Sequence, residues 1–251
     1  MRRVLSSLPE PLKASLRRAR QFVAAIPYRG TGRWCPVCRT PSRRFNTFGI
    51  VPRADALCMH CGALERHRLA WLFLVQRTDL FDGRPKRMLH VAPESAFEPR
   101  LRKALGDGYV TADLSPGRAR VAMDIENIQM PDASFDVIFC SHVLEHVNDD
   151  RRGMREFRRV LKPGGWAILL VPITVDATFE DPTVTDPAER LRLFGQDDHV
   201  RRYGPDYVDR LREAGFAVTT TRISDLASPQ EAERMGLTPA AGEIHLCTIK
   251  P

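Results

Sequence analysis

The chain has 251 residues, 43% hydrophobic and 27% charged, with a formal net charge of +7; this suffices for one α/β core plus an appendage and excludes a disordered or fibrous class. No apolar run approaches the roughly 18 residues of a bilayer-spanning helix, and an opening stretch broken by Pro9, Glu10, Pro11 and Lys13 is not a secretory signal, so a cytoplasmic protein is expected. Arginine dominates the positive charge, which is compatible with an RNA partner, but no tight basic run is interleaved with aromatics.

Residues 1–32 hold a basic amphipathic helix over 8–26, with Leu8, Leu12, Leu16, Phe22, Val23 and Ile26 as its apolar positions. Residues 33–62 follow as a zinc-binding module. Cys35-Pro36-Val37-Cys38 and Cys58-Met59-His60-Cys61 are two C-x-x-C turns with nineteen residues between them. Each turn aims two thiolates at one point, and the pair completes a tetrahedron around a structural zinc. The segment between, with Phe45 and Phe48, suits a short hairpin, and Gly62 suits the turn into a helix. His60 and His67 lie nearby, but four thiolates already satisfy the metal. With no open ligand position, such a zinc braces the module and performs no chemistry. Cys140 and Cys247 fall in apolar runs and read as core residues.

Residues 63–84 contain a linking helix over 62–81 with a broad apolar face, ended by Asp82-Gly83-Arg84-Pro85. From 85 to 251 the pattern alternates. Strands are expected at 87–92, 109–114, 121–124, 135–141, 166–171, 216–221 and 244–249, with helices at 94–105, 149–161 and 207–214. Lys162-Pro163-Gly164-Gly165 reads as a stop before the 166–171 strand. The alternation predicts a doubly wound, Rossmann-like α/β sheet with ligands at the carboxyl ends of its strands.

The stretch SFDVIFCSHVLEHVNDDRRGMREFRRVLKPGGWAILLVP, residues 134–172, resembles the central block of class I S-adenosylmethionine (SAM)-dependent methyltransferases of the ubiquinone/menaquinone group. The terminal GF turn and last two strands resemble that family's closing hairpin. The resemblance makes 85–251 a methyltransferase domain and implies SAM as cofactor. It implies that Asp113 accepts the ribose hydroxyls, that Asp124 and the following Ile125 meet the adenine, and that Ser141 and His142 line the methionine end. The family's first loop, close to D-x-G-x-G-x-G, is LHVAPESAF here, residues 89–97. Ala92 remains small where glycine is usual, Pro93 removes an amide donor, and Glu94 stands in as a partner for the methionine ammonium.

Asp197, Asp198 and His199 follow the family's fifth strand, where substrate contacts fall, and a His beside carboxylates is the composition of a general base with an orienting acid. His199 and His142 are the two candidate catalytic bases. His142 and His146 stand four apart, but no third ligand is evident, so a second metal is not expected. The function expected is methyl transfer to an O or N nucleophile of a small molecule or glycan. Two alternatives are an RNA base methyltransferase using the zinc module for RNA contact, and a non-catalytic binding module on a degenerate methyltransferase fold.

Overall fold

A computed structural model describes residues 10–249. Two compact units divide the chain: Met1–Leu72 with Ala227–Ala241, and Phe73–Leu226 with Gly242–Pro251. The sequence boundaries at 62/63 and 84/85 do not coincide with this division, which falls inside a helix. Among the described residues, no helix is long and apolar enough to cross a membrane.

In the first unit, helix α1 (Glu10–Ala25) leads into two antiparallel hairpins: β1 (Arg33–Cys35) with β2 (Thr40–Ser42), and β3 (Asn46–Phe48) with β4 (Arg53–Leu57). Leu8 lies outside the described residues. Leu16, Phe22, Val23 and Ile26 are exposed, so these positions of the expected apolar stripe do not form a core face. Helix α2 covers Glu65–Arg77, shorter at both ends than predicted. Arg68 on its first turns is fully buried, with Nη1 donating to the carbonyls of Ala56 (2.8 Å) and Ala63 (3.0 Å). Its Nη2 reaches the Gly236 carbonyl at 3.0 Å, and its guanidinium lies 4.2 Å from the centre of the Phe45 ring. These bonds join the otherwise remote Pro229–Arg234 helix segment to the unit, a pairing that local sequence pattern cannot reveal.

The second unit is built on a seven-stranded sheet. Its elements are β5 (Met88–Val91), α3 (Glu98–Leu105), β6 (Tyr109–Asp113), β7 (Val121–Ala122), β8 (Phe135–Ser141), α4 (Asp150–Val160) and β9 (Leu161–Leu170), followed by β10 (Phe179–Glu180), α5 (Pro187–Phe194), β11 (Arg201–Arg202), α6 (Tyr207–Glu213), β12 (Ala217–Thr221) and β13 (Ile244–Thr248). The sheet order is β12-β13-β9-β8-β5-β6-β7. The pairs among β5 to β9 are parallel, whereas β13 runs antiparallel to both of its neighbours. The doubly wound expectation and the closing hairpin both hold. Order reverses between β5 and β8, and the crevice beyond their carboxyl ends is where such sheets bind ligands.

Three details differ from the sequence reading. Helix α3 begins at Glu98 because residues 92–97 form a turn around Pro93. Lys162-Pro163-Gly164-Gly165 does not separate helix from strand: β9 already pairs Leu161 with Phe135, then bulges through the glycines and resumes with Trp166 opposite Val137. A bulge accommodates proline and glycine where a regular ladder does not. Helix α5, capped by the Asp186 carboxylate on the Glu189 amide, lies between 171 and 207, where the sequence pattern predicts no element.

The core is continuous across the sheet, with Leu89, Ile138, Cys140, Phe157, Leu169, Tyr207 and Cys247 all fully buried. Cys140 and Cys247 are thus core residues, as expected. None of the six cysteines forms a disulfide.

Candidate functional site: strand ends and a four-cysteine cluster

In the first unit the four cysteines converge. Cys35 ends β1 and Cys38 occupies the turn before β2. Cys58 follows β4, its amide donating to the Ala63 carbonyl at 2.9 Å, while the Gly62 amide returns to the Cys58 carbonyl at 2.7 Å. Gly62 has φ +78°, a left-handed turn that glycine adopts without strain. The Cys35 and Cys61 sulfurs are 3.7 Å apart, those of Cys38 and Cys58 3.8 Å, and all four lie within 4.8 Å of one another. A tetrahedral ion with metal–sulfur bonds near ~2.3 Å requires sulfurs about 3.8 Å apart. The donor set fits zinc.

In the second unit the residues expected to hold the cofactor sit at successive strand ends. Ala92 is the first residue after β5 and has φ +47°, the left-handed region favoured by glycine, while its amide donates to the Ala112 carbonyl at 2.8 Å. The backbone therefore keeps a glycine-type turn although the side chain is alanine. Asp113 closes β6, half-buried, with Oδ1 accepting the Ser115 amide at 2.8 Å and Oδ2 3.9 Å from Arg118. Asp124 stands just beyond β7, exposed, its Oδ1 accepting the Glu126 amide at 2.9 Å; Ile125 beside it is buried. Ser141, buried, closes β8.

Glu94 does not stand apart. His90, fully buried, bridges the Tyr109 hydroxyl (2.7 Å from Nδ1) and the Glu94 carboxylate (2.5 Å from Nε2), with its ring edge-on to Phe139. With Nε2–H donating to the carboxylate, Nδ1 accepts from the tyrosine. The imidazole thus ties the turn after β5 to the sheet, where the family pattern has an acid.

His142 follows Ser141 with φ +56°, its amide donating to the Leu170 carbonyl at 2.8 Å. Its Nδ1 is 3.3 Å from Glu145 Oε1. The structure brings the second candidate base to the same place: the His199 ring packs edge-on against His146, centroids 4.6 Å apart. His199 is buried, and burial holds its imidazole below the ordinary value against the opposing pull of Glu145. Asp198 lies 3.3 Å from His146 Nδ1.

The sequence reading missed what holds this cluster together. Arg201 is buried and donates to the backbone carbonyls of Leu144 (2.7 Å), Val147 (2.6 Å) and Asn148 (2.8 Å) and to the Glu180 carboxylate (2.9 Å). The Tyr203 hydroxyl donates to Asp150 at 2.7 Å, and Arg210 bonds both Asp150 and Glu180. The Val200 amide completes the link to the Glu145 carbonyl at 2.9 Å. An arginine in RRYG carries no sign of this role, because its partners are carbonyls far along the chain.

A doubly wound sheet with carboxylates closing β6 and following β7 and a left-handed turn after β5 defines the class: an α/β domain of the kind that binds a ribose-bearing cofactor at its switch point. Residues 90–169 match the family described as methyltransferase domain. The region is 41% identical over 70 residues to a ubiquinone/menaquinone biosynthesis C-methyltransferase of Geobacter sulfurreducens, covering 27% of each chain. The chain is 26% identical over 198 residues to a malonyl-[acyl-carrier protein] O-methyltransferase of Nitrosospira multiformis, covering 74% of this chain and 59% of that one. Among solved structures, an S-adenosylmethionine-dependent methyltransferase from Mesorhizobium loti superposes with a TM-score of 0.49 at 19% identity, covering 70% and 96% of the two chains. Residues 90–169 thus form a methyltransferase domain, similar to those of SAM-dependent methyltransferases. The chain spans less than two thirds of the length of these curated relatives.

Proposed function

We propose that the chain transfers the methyl group of SAM to an oxygen or nitrogen nucleophile of a small molecule or glycan, in the cytoplasm, with a structural zinc in its cysteine module. The observation that carries the reading is the pair of carboxylates Asp113 and Asp124 at successive strand ends, next to a turn whose backbone stays left-handed at Ala92.

The residues present fit SAM. Asp113 would accept two hydrogen bonds from a vicinal diol, one on each carboxylate oxygen and each charge-assisted. Asp124 and Ile125 offer an acceptor and an apolar wall for a purine, while Ala92, Glu94 and Ser141 border the end that carries the methionine. When bound, the cofactor supplies an activated methyl for in-line displacement. The protein's part is then alignment, exclusion of water and removal of a proton from the acceptor. His142, beside Glu145 and less buried than His199, is positioned for that proton; Glu145 would steady the imidazolium. His199 is the second candidate, its burial favouring the neutral, proton-accepting form.

The arginine-rich composition and a 29% identity over 85 residues to a tRNA U34 carboxymethyltransferase of Campylobacter curvus favour an RNA acceptor as the second reading. Calorimetric titration of the folded, zinc-replete protein with SAM tests the class. Binding that Asp113→Ala weakens supports it, and absence of binding rejects it in favour of the non-catalytic reading. Labelled-methyl incorporation into lysate fractions, with and without ribonuclease, separates the two acceptor classes.

A further inference from the structure

We infer that Glu145, His146 and His199 form a second metal site, for a divalent first-row transition ion. In the sequence His142 and His146 lack a third ligand. The fold leaves His142 out and sets the segment between α5 and β11 against the turn after β8, so that one ligand atom from each of Glu145, His146 and His199 lies within 4.8 Å of the others. Metal binding by these side chains does not depend on the methyl-transfer reading, but a ligating His199 is no longer a base, which leaves His142 as the candidate for that role.

Two buried atoms point to the ion. Glu145 is 1% exposed and His199 5% exposed. Among the described residues, neither Glu145 Oε2 nor His199 Nε2 has a hydrogen-bond partner. A carboxylate oxygen and an imidazole nitrogen left unsatisfied side by side in the interior require an occupant. Both are lone-pair donors, so a cation satisfies both at once.

The surroundings are those of metal-ligating imidazoles, which engage the second ring nitrogen elsewhere and so fix the ligating one. His146 Nδ1 faces the Asp198 carboxylate at 3.3 Å, leaving Nε2 to ligate. His199 Nε2 is buried without a hydrogen-bond partner, which makes it the ring nitrogen available to ligate. Arg201 holds both walls, through the carbonyls of Leu144, Val147 and Asn148. Two imidazoles and one carboxylate suit zinc, manganese, iron or cobalt in the divalent state. Three protein ligands leave coordination positions for water or an oxygen of a bound molecule, unlike the closed four-thiolate site.

The test is titration of the zinc-replete full chain with Co2+, read by visible absorption and by metal content after gel filtration. One further equivalent is expected, with the weak bands of oxygen and nitrogen ligation and without the intense ultraviolet band of cobalt–thiolate bonds. Glu145→Gln and His199→Ala should abolish uptake. Should either fail to fold, His146→Gln, at a side chain 33% exposed, should weaken it at least roughly 100-fold, and Asp198→Asn, at an exposed carboxylate, about 10-fold. Absence of Co2+ uptake beyond the thiolate site, or uptake equal in the wild type and His146→Gln, overturns the inference.

Discussion

Ala92 and His142 leave the carboxyl ends of the adjacent parallel strands β5 and β8 with left-handed backbones, φ +47° and +56°. Neither is glycine, and a left-handed side-chain-bearing residue costs roughly 1–2 kcal/mol. Each is nevertheless pinned by a ladder bond of 2.8 Å, from Ala92 to Ala112 and from His142 to Leu170. The two turns flank the point where strand order reverses. Strain held by good hydrogen bonds at the ends of adjacent parallel strands is a pattern that clusters at binding and catalytic sites.

Ala92→Gly should therefore be neutral to stabilising by up to about 1 kcal/mol, since relief of strain is partly offset by the entropy glycine adds to the unfolded chain. Ala92→Val should destabilise by about 1–3 kcal/mol and weaken SAM, because a β-branched residue tolerates this φ least. Urea denaturation and SAM titration of both variants check this.

Asp113→Ala should raise the dissociation constant for SAM by about 10- to 100-fold, the loss of one or two charge-assisted hydrogen bonds. Melting temperature should change little, because among the described residues the carboxylate's bonds are to one local amide, that of Ser115, and at longer range to Arg118. A variant that binds SAM normally would remove Asp113 from the cofactor site.

Removal of zinc should unfold or strongly destabilise the first unit, whose four sulfurs have no other reason to converge within 4.8 Å. Cys58→Ser should reproduce the effect. Melting unchanged by a strong chelator that extracts the metal would end the structural assignment. Arg68→Met should destabilise by roughly 2–4 kcal/mol, because the buried carbonyls of Ala56 and Gly236 lose their guanidinium donor, while that of Ala63 keeps only the Cys58 amide.

Acid should act through Glu180. Partial burial pushes its carboxyl up, but hydrogen bonds from Arg210 and Arg201 outweigh that and hold it at about 2. A depressed folded-state value contributes stability that is complete above the unfolded value near ~4.3 and is lost as pH falls towards 2. With the side chain 35% exposed and therefore screened, the contribution is on the order of 1–2 kcal/mol. Glu180→Gln should lower stability at pH 7 by at least that amount and flatten its dependence between about pH 4.5 and pH 2, measured by denaturant titration.

Much of the site was legible because its signals are local. Two C-x-x-C turns declare a four-thiolate cluster through spacing alone, and alternating apolar runs declare parallel strands whose ends carry Asp113 and Ser141. The β9 bulge was not legible, because Lys162-Pro163-Gly164-Gly165 has the same composition whether it ends a helix or kinks a strand. Nor was the place of the Pro229–Arg234 helix, fixed by a buried guanidinium 168 residues away in sequence.

Periodicity and motif spacing by themselves determined the doubly wound class, the cysteine cluster and the carboxylates closing the strands, since each depends on neighbours within a few residues. Only the tertiary structure decided that Glu145, His146 and His199 come within 4.8 Å of one another, and that Arg201 ties their segments together. The reason is physical: a buried lone pair or a guanidinium is satisfied by whatever the fold brings to it, and chain distance leaves no trace of that partner in local sequence.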